Sequence, residues 1–229
     1  GRVRLRDSAA QGQLTVNAQR NAELGGKLAA QGTLTANATG DVTLSQSQLA
    51  ADTVQLAGKQ VTLSDSRVDA RTVTLAAKET LNQQGEVSAA EQLTLSGKTV
   101  ALAGRQQSGG GAALTASDGA SLQGTLAATG PVIIKSGNRW VQGKTSTFES
   151  QGRVEVVADE VTLSGRMQGQ QIAINAKTLT SDASVTAGQT LAVNAQRATQ
   201  QGVIHSQGQL SWRGEQLDNR GTLSADGNG

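Results

Sequence analysis

Cysteine is missing from this sequence, proline occurs once, and aromatic side chains make up only 1% of the residues. Without cysteine the chain cannot form disulfides, so its stability must come from burial and hydrogen bonding. Large rings usually fill a wide core, so the interior is expected to be narrow and filled by Leu, Val, Ile and Ala. No apolar run approaches the roughly 18 residues of a membrane-spanning helix.

The charge of the chain is nearly balanced, with 20 basic and 18 acidic residues and a net charge of +2. The densest cationic group, Arg2, Arg4 and Arg6, is offset by the acidic residue that follows it. A nucleic-acid surface needs clustered cations, so we predict no nucleic-acid role. The only histidine, His205, is predicted to face outward, and no His, Asp or Glu residues have the spacing of a metal site. We therefore predict no catalytic residue, no cofactor and no metal.

An apolar triplet of the Leu-Thr-Val type recurs along the sequence at intervals of 18 to 22 residues. Its first residue falls at Leu14, Leu34, Val54, Val73, Leu93, Leu114, Val132, Val154, Ile172, Leu191 and Leu210. A second apolar residue stands two positions later in each period, which points both side chains to one face of a β-strand. A self-similar period of this length is typical of solenoid proteins.

Two further apolar sites recur in the period. The second site follows the triplet start by six to eight residues, at Ala22, Val42, Val61, Leu81, Val100, Ala120, Trp140, Val161, Leu179, Ala198 and Leu217. The third follows it by twelve to sixteen residues, at Leu28, Leu49, Val68, Val87, Leu126, Phe148, Met167, Val185, Val203 and Leu223. Three short strands per period, each with an inward-facing apolar site, predict a triangular coil.

A helical solenoid is the alternative fold, but its repeats need 3.6-residue periodicity and good helix formers. Here the triplets alternate, Thr and Val are frequent, and residues 93–104 have a strand, turn, strand pattern. We predict an all-β fold: a right-handed parallel β-helix (solenoid) of about eleven coils, with ~19–20 residues per coil and a triangular cross-section. Residues 1–229 are expected to form a single such unit, a fragment of a shaft.

The stretch 105–150 departs from this repeat. Four residues after each triplet start stands Ala, Gly or Ser, as a tight corner requires, except that Asp118 occupies this position in one coil. Gln107 stands where the third apolar site is expected. The sole proline, Pro131, precedes the longest period, 22 residues. These features predict irregular coils over 105–150.

The turns of the irregular stretch carry three cations, Lys135, Arg139 and Lys144. We predict that these three residues form a basic partner-binding site that contacts a glycan or a receptor. The aromatic side chains Trp140, Phe148 and Trp212 fall in the inward columns, so they are predicted to pack in the core.

The segment 217–225, LDNRGTLSA, resembles the LDNxGGxIxA signature of filamentous haemagglutinin repeats. Weaker similarities are LNQQGEVSA at 81–89 and QQGVIHS at 200–206, and the LTVNA form at 14–18 and the LAVNA form at 191–195 are similar to the same family. Together with the period, this resemblance covers essentially the whole chain.

The resemblance implies a large Gram-negative exoprotein that is exported by two-partner secretion through an outer-membrane transporter. The family includes filamentous haemagglutinin-like adhesins and contact-dependent growth-inhibition exoproteins, whose repeats project binding or toxin regions from the cell. The sequence has neither an NPNGI-like secretion motif nor a VENN-like toxin boundary. We therefore expect a shaft segment at the extracellular bacterial outer cell surface, with host or bacterial cell-surface receptors or glycans as partners.

A polysaccharide-binding or polysaccharide-cleaving β-helix protein is the alternative function. Cleavage would need two or three carboxylates on adjacent coils of one face, acting as acid and base. The acidic residues of the sequence fall at different offsets within the period, so we predict that the chain is not an enzyme.

Overall fold

The computed structural model describes residues 1–227, which form strands, turns and bends with no helix among them. Their 21 strands belong to one sheet, and neighbouring strands run parallel, as in the pairs β6–β7 and β16–β17. The strands are β1 (Val3–Ala10), β2 (Leu14–Ala18), β3 (Ala22–Ala30), β4 (Thr33–Ala38), β5 (Val42–Ser64), β6 (Arg67–Gln83), β7 (Glu86–Leu102), β8 (Arg105–Ser108), β9 (Gly111–Leu122), β10 (Thr125–Ala128), β11 (Val132–Ser136), β12 (Arg139–Gln142), β13 (Thr147–Ser150), β14 (Arg153–Val157), β15 (Glu160–Leu163), β16 (Arg166–Ser181), β17 (Ser184–Gln200), β18 (Val203–Ser206), β19 (Gln209–Arg213), β20 (Gln216–Asn219) and β21 (Thr222–Ala225). The last two residues of the predicted unit 1–229 lie outside the described residues.

The parallel pairs stack the chain into three faces, and the longer strands pass through corners from one face to another. The first face is built from residues 14–18, 33–38, 53–58, 72–77, 92–97, 111–116, 132–136, 153–157, 171–176, 190–195 and 209–213. The second face is built from residues 3–6, 22–25, 42–44, 60–63, 80–83, 99–102, 119–122, 139–142, 160–163, 178–181, 197–200 and 216–219. The third face is built from residues 8–10, 28–30, 48–51, 67–70, 86–89, 105–108, 125–128, 147–150, 166–169, 184–187, 203–206 and 222–225.

The fold is a right-handed parallel β-helix of about 12 turns, which confirms the predicted fold class. The predicted number of coils, about eleven, is slightly low because β1 opens the solenoid without an apolar triplet before it. This strand pairs with β3 and adds a rung to the second and third faces only. The eleven triplets therefore correspond to the rungs of the first face.

The register of one coil differs from the prediction by two residues. Ala112, not Leu114, pairs with Leu93 below it, and Leu114 holds the second apolar position of its triplet. The corner position of this coil is then Ala116 rather than Asp118, so the prediction that an acidic residue breaks the corner rule was wrong. The prediction chose Leu114 as the start of the triplet because leucine is more hydrophobic than Ala112.

Two positions of the third apolar column also need correction. Gln106, not Gln107, stands in this column and is fully buried, between Val87 and Leu126 of the neighbouring coils. Near the C-terminus the inward residue is Ile204, while Val203 is 48% exposed. In both cases a shift of one residue moves the side chain to the other face of the strand.

The rings of Trp140 and Phe148 pack in the core, as predicted, and both are fully buried. Their centroids lie 6.4 Å apart with the planes at 85°, an edge-to-face contact that aromatic pairs favour. Trp140 has the small Ala120 as its neighbour in the coil below. The large ring is thus accommodated by a small residue in the same column. Trp212 packs more loosely, as a partly buried residue at the C-terminal end of the core.

A polar inward position ends several strands of the second face. Gln83, Gln142 and Gln200 are buried there, two residues after an apolar inward site. The Gln83 amide donates to the carbonyl of Gly85 at 2.6 Å. The Gln200 amide donates to the carbonyl of Gly202 at 2.8 Å, and its oxygen accepts from the Gly202 N–H at 3.0 Å. These side chains satisfy backbone groups where the chain turns from the second to the third face.

The same corner requires glycine for steric reasons. A Cβ on Gly85 would collide with the Ser66 carbonyl, one on Gly104 with the Gly85 carbonyl, and one on Gly124 with the Gly104 carbonyl. In these three coils the corner therefore packs directly against the backbone of the coil below. The glycine in the quoted haemagglutinin-like motifs has this packing role.

The buried amide pair Gln83–Gln106 yields a double-mutant prediction. The Gln106 amide donates to the Gln83 side-chain oxygen, and the Gln106 oxygen has no partner among the described residues. We expect Gln106→Leu and Gln83→Leu each to lower the free energy of unfolding by ~1–3 kcal/mol, because each leaves a buried amide group unpaired.

The variant with both leucines should lose less than the sum of the two single losses, because neither amide is then left buried without the other. Chemical denaturation of the four proteins measures this coupling. Strictly additive losses would show that the two amides do not act as a pair.

Candidate functional site

The described residues contain no side-chain cluster of the kind that holds a metal ion. No group of three or more His, Asp or Glu side chains within residues 1–227 is placed to hold a metal ion. Residues 1–227 also contain no helix that is long and apolar enough to cross a membrane. His205 lies on the outer side of the third face, as predicted, with Nδ1 2.9 Å from the Ser224 hydroxyl and Nε2 3.4 Å from Asp226.

The three cations predicted to bind a partner lie at different places around one coil. Lys135 is exposed on β11 of the first face, and Arg139 opens β12 on the second face. Arg139 lies 3.3 Å from the carboxylate of Glu160 in the next coil. Lys144 is exposed in the turn that follows β12. The structure therefore does not gather the three charges on one face, and their binding of a partner stays a prediction.

A groove runs parallel to the solenoid axis where the third face turns toward the first, and we call it the axial groove. Its volume is about 690 Å³. It is lined by Ser88, Ala89, Ala90, Gln107, Ser108, Gly109, Ala127, Ala128, Thr129, Glu149, Ser150, Gln151, Gln168, Gly169, Gln170, Thr186, Gly188 and Gln207. These residues come from seven successive coils, which at ~4.8 Å per coil gives a length of about 30 Å.

The wall of the axial groove contains one column of outward-facing side chains in register. Gln107, Ala127, Glu149 and Gln168 occupy it on four successive coils. The small Ala127 leaves a gap in this column, between an amide on one side and a carboxylate on the other. The groove thus presents different hydrogen-bonding groups at regular intervals along the axis.

Two of these amides are oriented by arginine. The Gln168 oxygen accepts from Arg166 Nη2 at 2.9 Å. The Gln107 amide is oriented with its oxygen toward Arg105, because only this orientation gives both the oxygen and the nitrogen a suitable hydrogen-bond partner. The oxygen then accepts from Arg105, at 2.7 Å from Nη2 and 3.2 Å from Nε. Because arginine takes the oxygen, the NH₂ group of each glutamine is left as the donor. The structure therefore presets the direction of two donors.

The floor of the axial groove consists of small residues whose backbone is already hydrogen-bonded. Ala89, Ala128 and Gly169 are among its buried members. The N–H groups of the corner donate to the coil below, for example from Gly109 to Ala89 at 2.8 Å and from Gln151 to Ala128 at 3.1 Å. Side chains, not free backbone groups, therefore supply the chemistry of the groove.

Sequence reasoning missed this site because it was concerned with inward columns. One sequence pattern could have indicated the groove. The tripeptide Arg-x-Gln begins two third-face strands, at residues 105–107 and 166–168. Its two copies lie in different coils, three coils apart in the stack. Only the register of the solenoid shows that they belong to the same column.

A charged bridge stands at the same corner, next to the N-terminal end of the axial groove. Arg71 contacts Asp52 of the coil below through two bonds of 2.9 Å and Glu91 of the coil above at 2.9 Å. The hydrogen bond from Arg71 lowers the pKa of Asp52 below its ordinary value. The same contact raises the pKa of Arg71. The bridge links three successive coils on the outside of the tube.

Comparison with known proteins adds one finding. The family model described as "Haemagglutinin repeat" matches residues 9–85, 70–139 and 150–228. The gap between the second and third matches, residues 140–149, falls in the coil of 22 residues that carries Trp140 and Phe148. Searches of curated proteins and of solved structures found no significant match.

The charged bridge predicts a pH-dependent contribution to stability. The folded-state pKa of Asp52 lies below its unfolded value, so its contribution is present above the unfolded pKa of ~3.9 and is lost as the pH falls through the folded-state pKa. We expect Asp52→Asn to lower the denaturation midpoint at pH 6 by a small amount. This difference from the unmodified chain should shrink below pH 4 and in high salt, because the pair is exposed.

The matched control is Asp41→Asn, since Asp41 has no ion-pair partner among the described residues. Asp41→Asn removes a carboxylate without breaking an ion pair, so it should not reproduce the loss expected of Asp52→Asn at pH 6. An Asp52→Asn effect that persists unchanged at pH 2 would contradict the assignment.

Proposed function

The chain belongs to the haemagglutinin repeat family, and from this premise we propose that it is a segment of the structural and adhesive shaft of a large secreted bacterial surface exoprotein. The observation that carries the proposal is the repeat itself. About 12 turns place the same residue types at the same positions and bury one continuous core. Such an array lengthens by adding coils, without any change in how each coil is stabilised.

The proposed role of the shaft is to hold an adhesive or toxic region away from the cell. Each coil adds ~4.8 Å of length, so about 12 turns correspond to a rod of roughly 60 Å. In the parent protein we propose that residues 1–229 act as one unit of this spacer. An adhesin and a growth-inhibition exoprotein would use it in the same way.

We further propose export through the outer-membrane transporter of a two-partner system, with display at the outer cell surface. The absence of cysteine suits this route, because premature disulfides would obstruct the passage of an unfolded chain. Partners of the displayed protein would be receptors or glycans on host or bacterial cells.

Cleavage of polysaccharide is not supported by the arrangement of carboxylates on the third face. Asp69 and Glu86 lie on adjacent coils of this face, but both contact Arg67, at 2.6 and 3.7 Å, and so form an ion-pair cluster rather than a free acid–base pair. Asp69 and Glu149 share an outward column, but they stand four coils apart. This separation is ~19 Å, well beyond the ~5–9.5 Å of paired carboxylates in glycoside hydrolases. We therefore propose a non-enzymatic role.

Deletion of a whole coil tests the spacer proposal. Leu14 pairs with Leu34, so removing residues 14–33 from the parent exoprotein joins two in-register positions. We expect this variant to be exported and displayed, and to retain adhesion or toxin delivery, because the remaining coils restack without loss of register. Surface labelling and an adhesion or inhibition assay measure the outcome.

The matched control removes residues 14–23, about half a coil, which places residues of one face on another. This variant should lose folding and display. Loss of activity in the whole-coil variant, while it is folded and displayed, would mean that the segment holds a specific active site rather than a spacer.

A further inference from the structure

We infer that the axial groove is a binding site for an uncharged polysaccharide, with the polymer lying along the solenoid axis. The inference rests on the proposed function, because it assigns an adhesive contact to the shaft itself. It places that contact on the third face, away from the cations Lys135, Arg139 and Lys144.

The shape of the groove fits a polymer better than a compact ligand. Its volume, about 690 Å³, is within the usual range for ligand sites, but it is spread over seven coils and about 30 Å. Equivalent residues of successive coils recur at ~4.8 Å along it. A linear polymer can contact all seven coils along this length, whereas a compact molecule would contact two or three coils only.

The side chains of the groove have the chemistry of a hydroxyl-binding surface. Gln107 and Gln168 present NH₂ donors whose oxygens are held by arginine. Glu149 lies between them in the column and offers acceptors only. Sugar hydroxyls both donate and accept, so they can pair with both kinds of group. Gln151 and Gln170 add exposed amides along the corner.

The charge of the lining selects against anionic polymers. Glu149 is the only ionisable residue among those that line the groove. Arg105 and Arg166 keep their positive charges, but they stand two residues before Gln107 and Gln168 and are not among the lining residues. A sulfated or uronic-acid polymer in the groove would lie directly against the Glu149 carboxylate, which repels it. An uncharged chain meets no such penalty.

An extended peptide is a poorer fit than a glycan for a reason of backbone pairing. Peptides bind β-proteins by adding a strand to a free edge. Along the groove, the corner N–H groups already donate to the coil below, as at Gly109, Thr129 and Gln170. No free strand edge runs parallel to the axis in the described residues, since each coil pairs with its neighbours above and below. Small floor residues such as Ala128 and Gly169 instead allow a sugar ring to approach closely.

The test uses the full 229-residue chain and a panel of defined polysaccharides. Dextran, mannan and galactan are the uncharged members, and heparin and polygalacturonate are the anionic members. We expect at least one uncharged polymer to bind by affinity electrophoresis or calorimetry, with affinity that rises with oligosaccharide length until the groove is filled. The variant Gln107→Ala/Gln168→Ala should bind that polymer about tenfold more weakly, since two hydrogen bonds are lost.

Two control variants make the result specific. Gln13→Ala/Gln55→Ala removes one exposed amide just before a first-face strand and one on the first face, both outside the groove, and should leave binding unchanged. Lys135→Gln/Arg139→Gln/Lys144→Gln should also leave it unchanged. All variants should keep the denaturation midpoint of the parent chain, because the substituted side chains lie outside the core.

Each other outcome overturns the inference. These outcomes are the absence of binding to every uncharged polymer, equal binding by the Gln107→Ala/Gln168→Ala variant, and binding of anionic polymers alone with loss in the triple cation variant. The spacer proposal would stand in all three cases, because whole-coil deletion tests it separately.

Discussion

Parallel hydrogen bonding between successive coils is the constraint on which the rest of this structure depends. Each backbone group on the faces pairs with a residue 18 to 22 positions away, in the coil above or below. A coil alone cannot satisfy these groups, so the unit of stability is the stack. Once the stack is in register, like side chains fall into columns. The narrow interior then accepts Leu, Val and Ile, and the tightest corners accept only glycine or other small residues.

The inward columns could be predicted from the sequence because burial repeats with the period of the chain. Leu, Val and Ile mark the first face in ten of its eleven rungs, and the fold class follows from them. The prediction was wrong where the signal was weak or ambiguous. Ala112 is too small to be preferred over Leu114, and Val203 and Ile204 are equally apolar neighbours, so only the observed pairing decides which one faces inward.

The axial groove could not be predicted in the same way. Its residues are outward-facing, and outward positions are not constrained by burial, so they carry no period that a single sequence reveals. Gln107, Glu149 and Gln168 become neighbours only through the register of the strands. The buried amides of Gln83 and Gln106 were missed for a different reason in each case. Gln106 interrupts a mostly apolar column, and Gln83 occupies an inward position that the three predicted apolar sites did not include. In this solenoid the apolar residues that repeat in every coil specify the fold, whereas the side chains that do not repeat distinguish one segment from another.

The division between inside and outside also explains how one architecture can serve a spacer and a contact surface. The core, from Val16 to Ile204, is one continuous cluster that fixes length and stiffness. The outer columns are free to differ from coil to coil. The bridge of Asp52, Arg71 and Glu91 and the polar axial groove both lie where the third face turns toward the first. Different outward side chains on successive coils therefore give this one corner two different surfaces.

The most direct test of the account is the register of the coils, and the absence of cysteine from the chain makes it simple to measure. Thr35 pairs with Gln55, and Gln55 pairs with Thr74. Cysteines placed at 35 and 55 should form a disulfide on oxidation, because neighbouring Cα atoms lie within the ~4.4–6.8 Å that the bond allows. Cysteines at 35 and 74, two coils and ~10 Å apart, should not. Equal cross-linking of both pairs, or of neither, would contradict the solenoid.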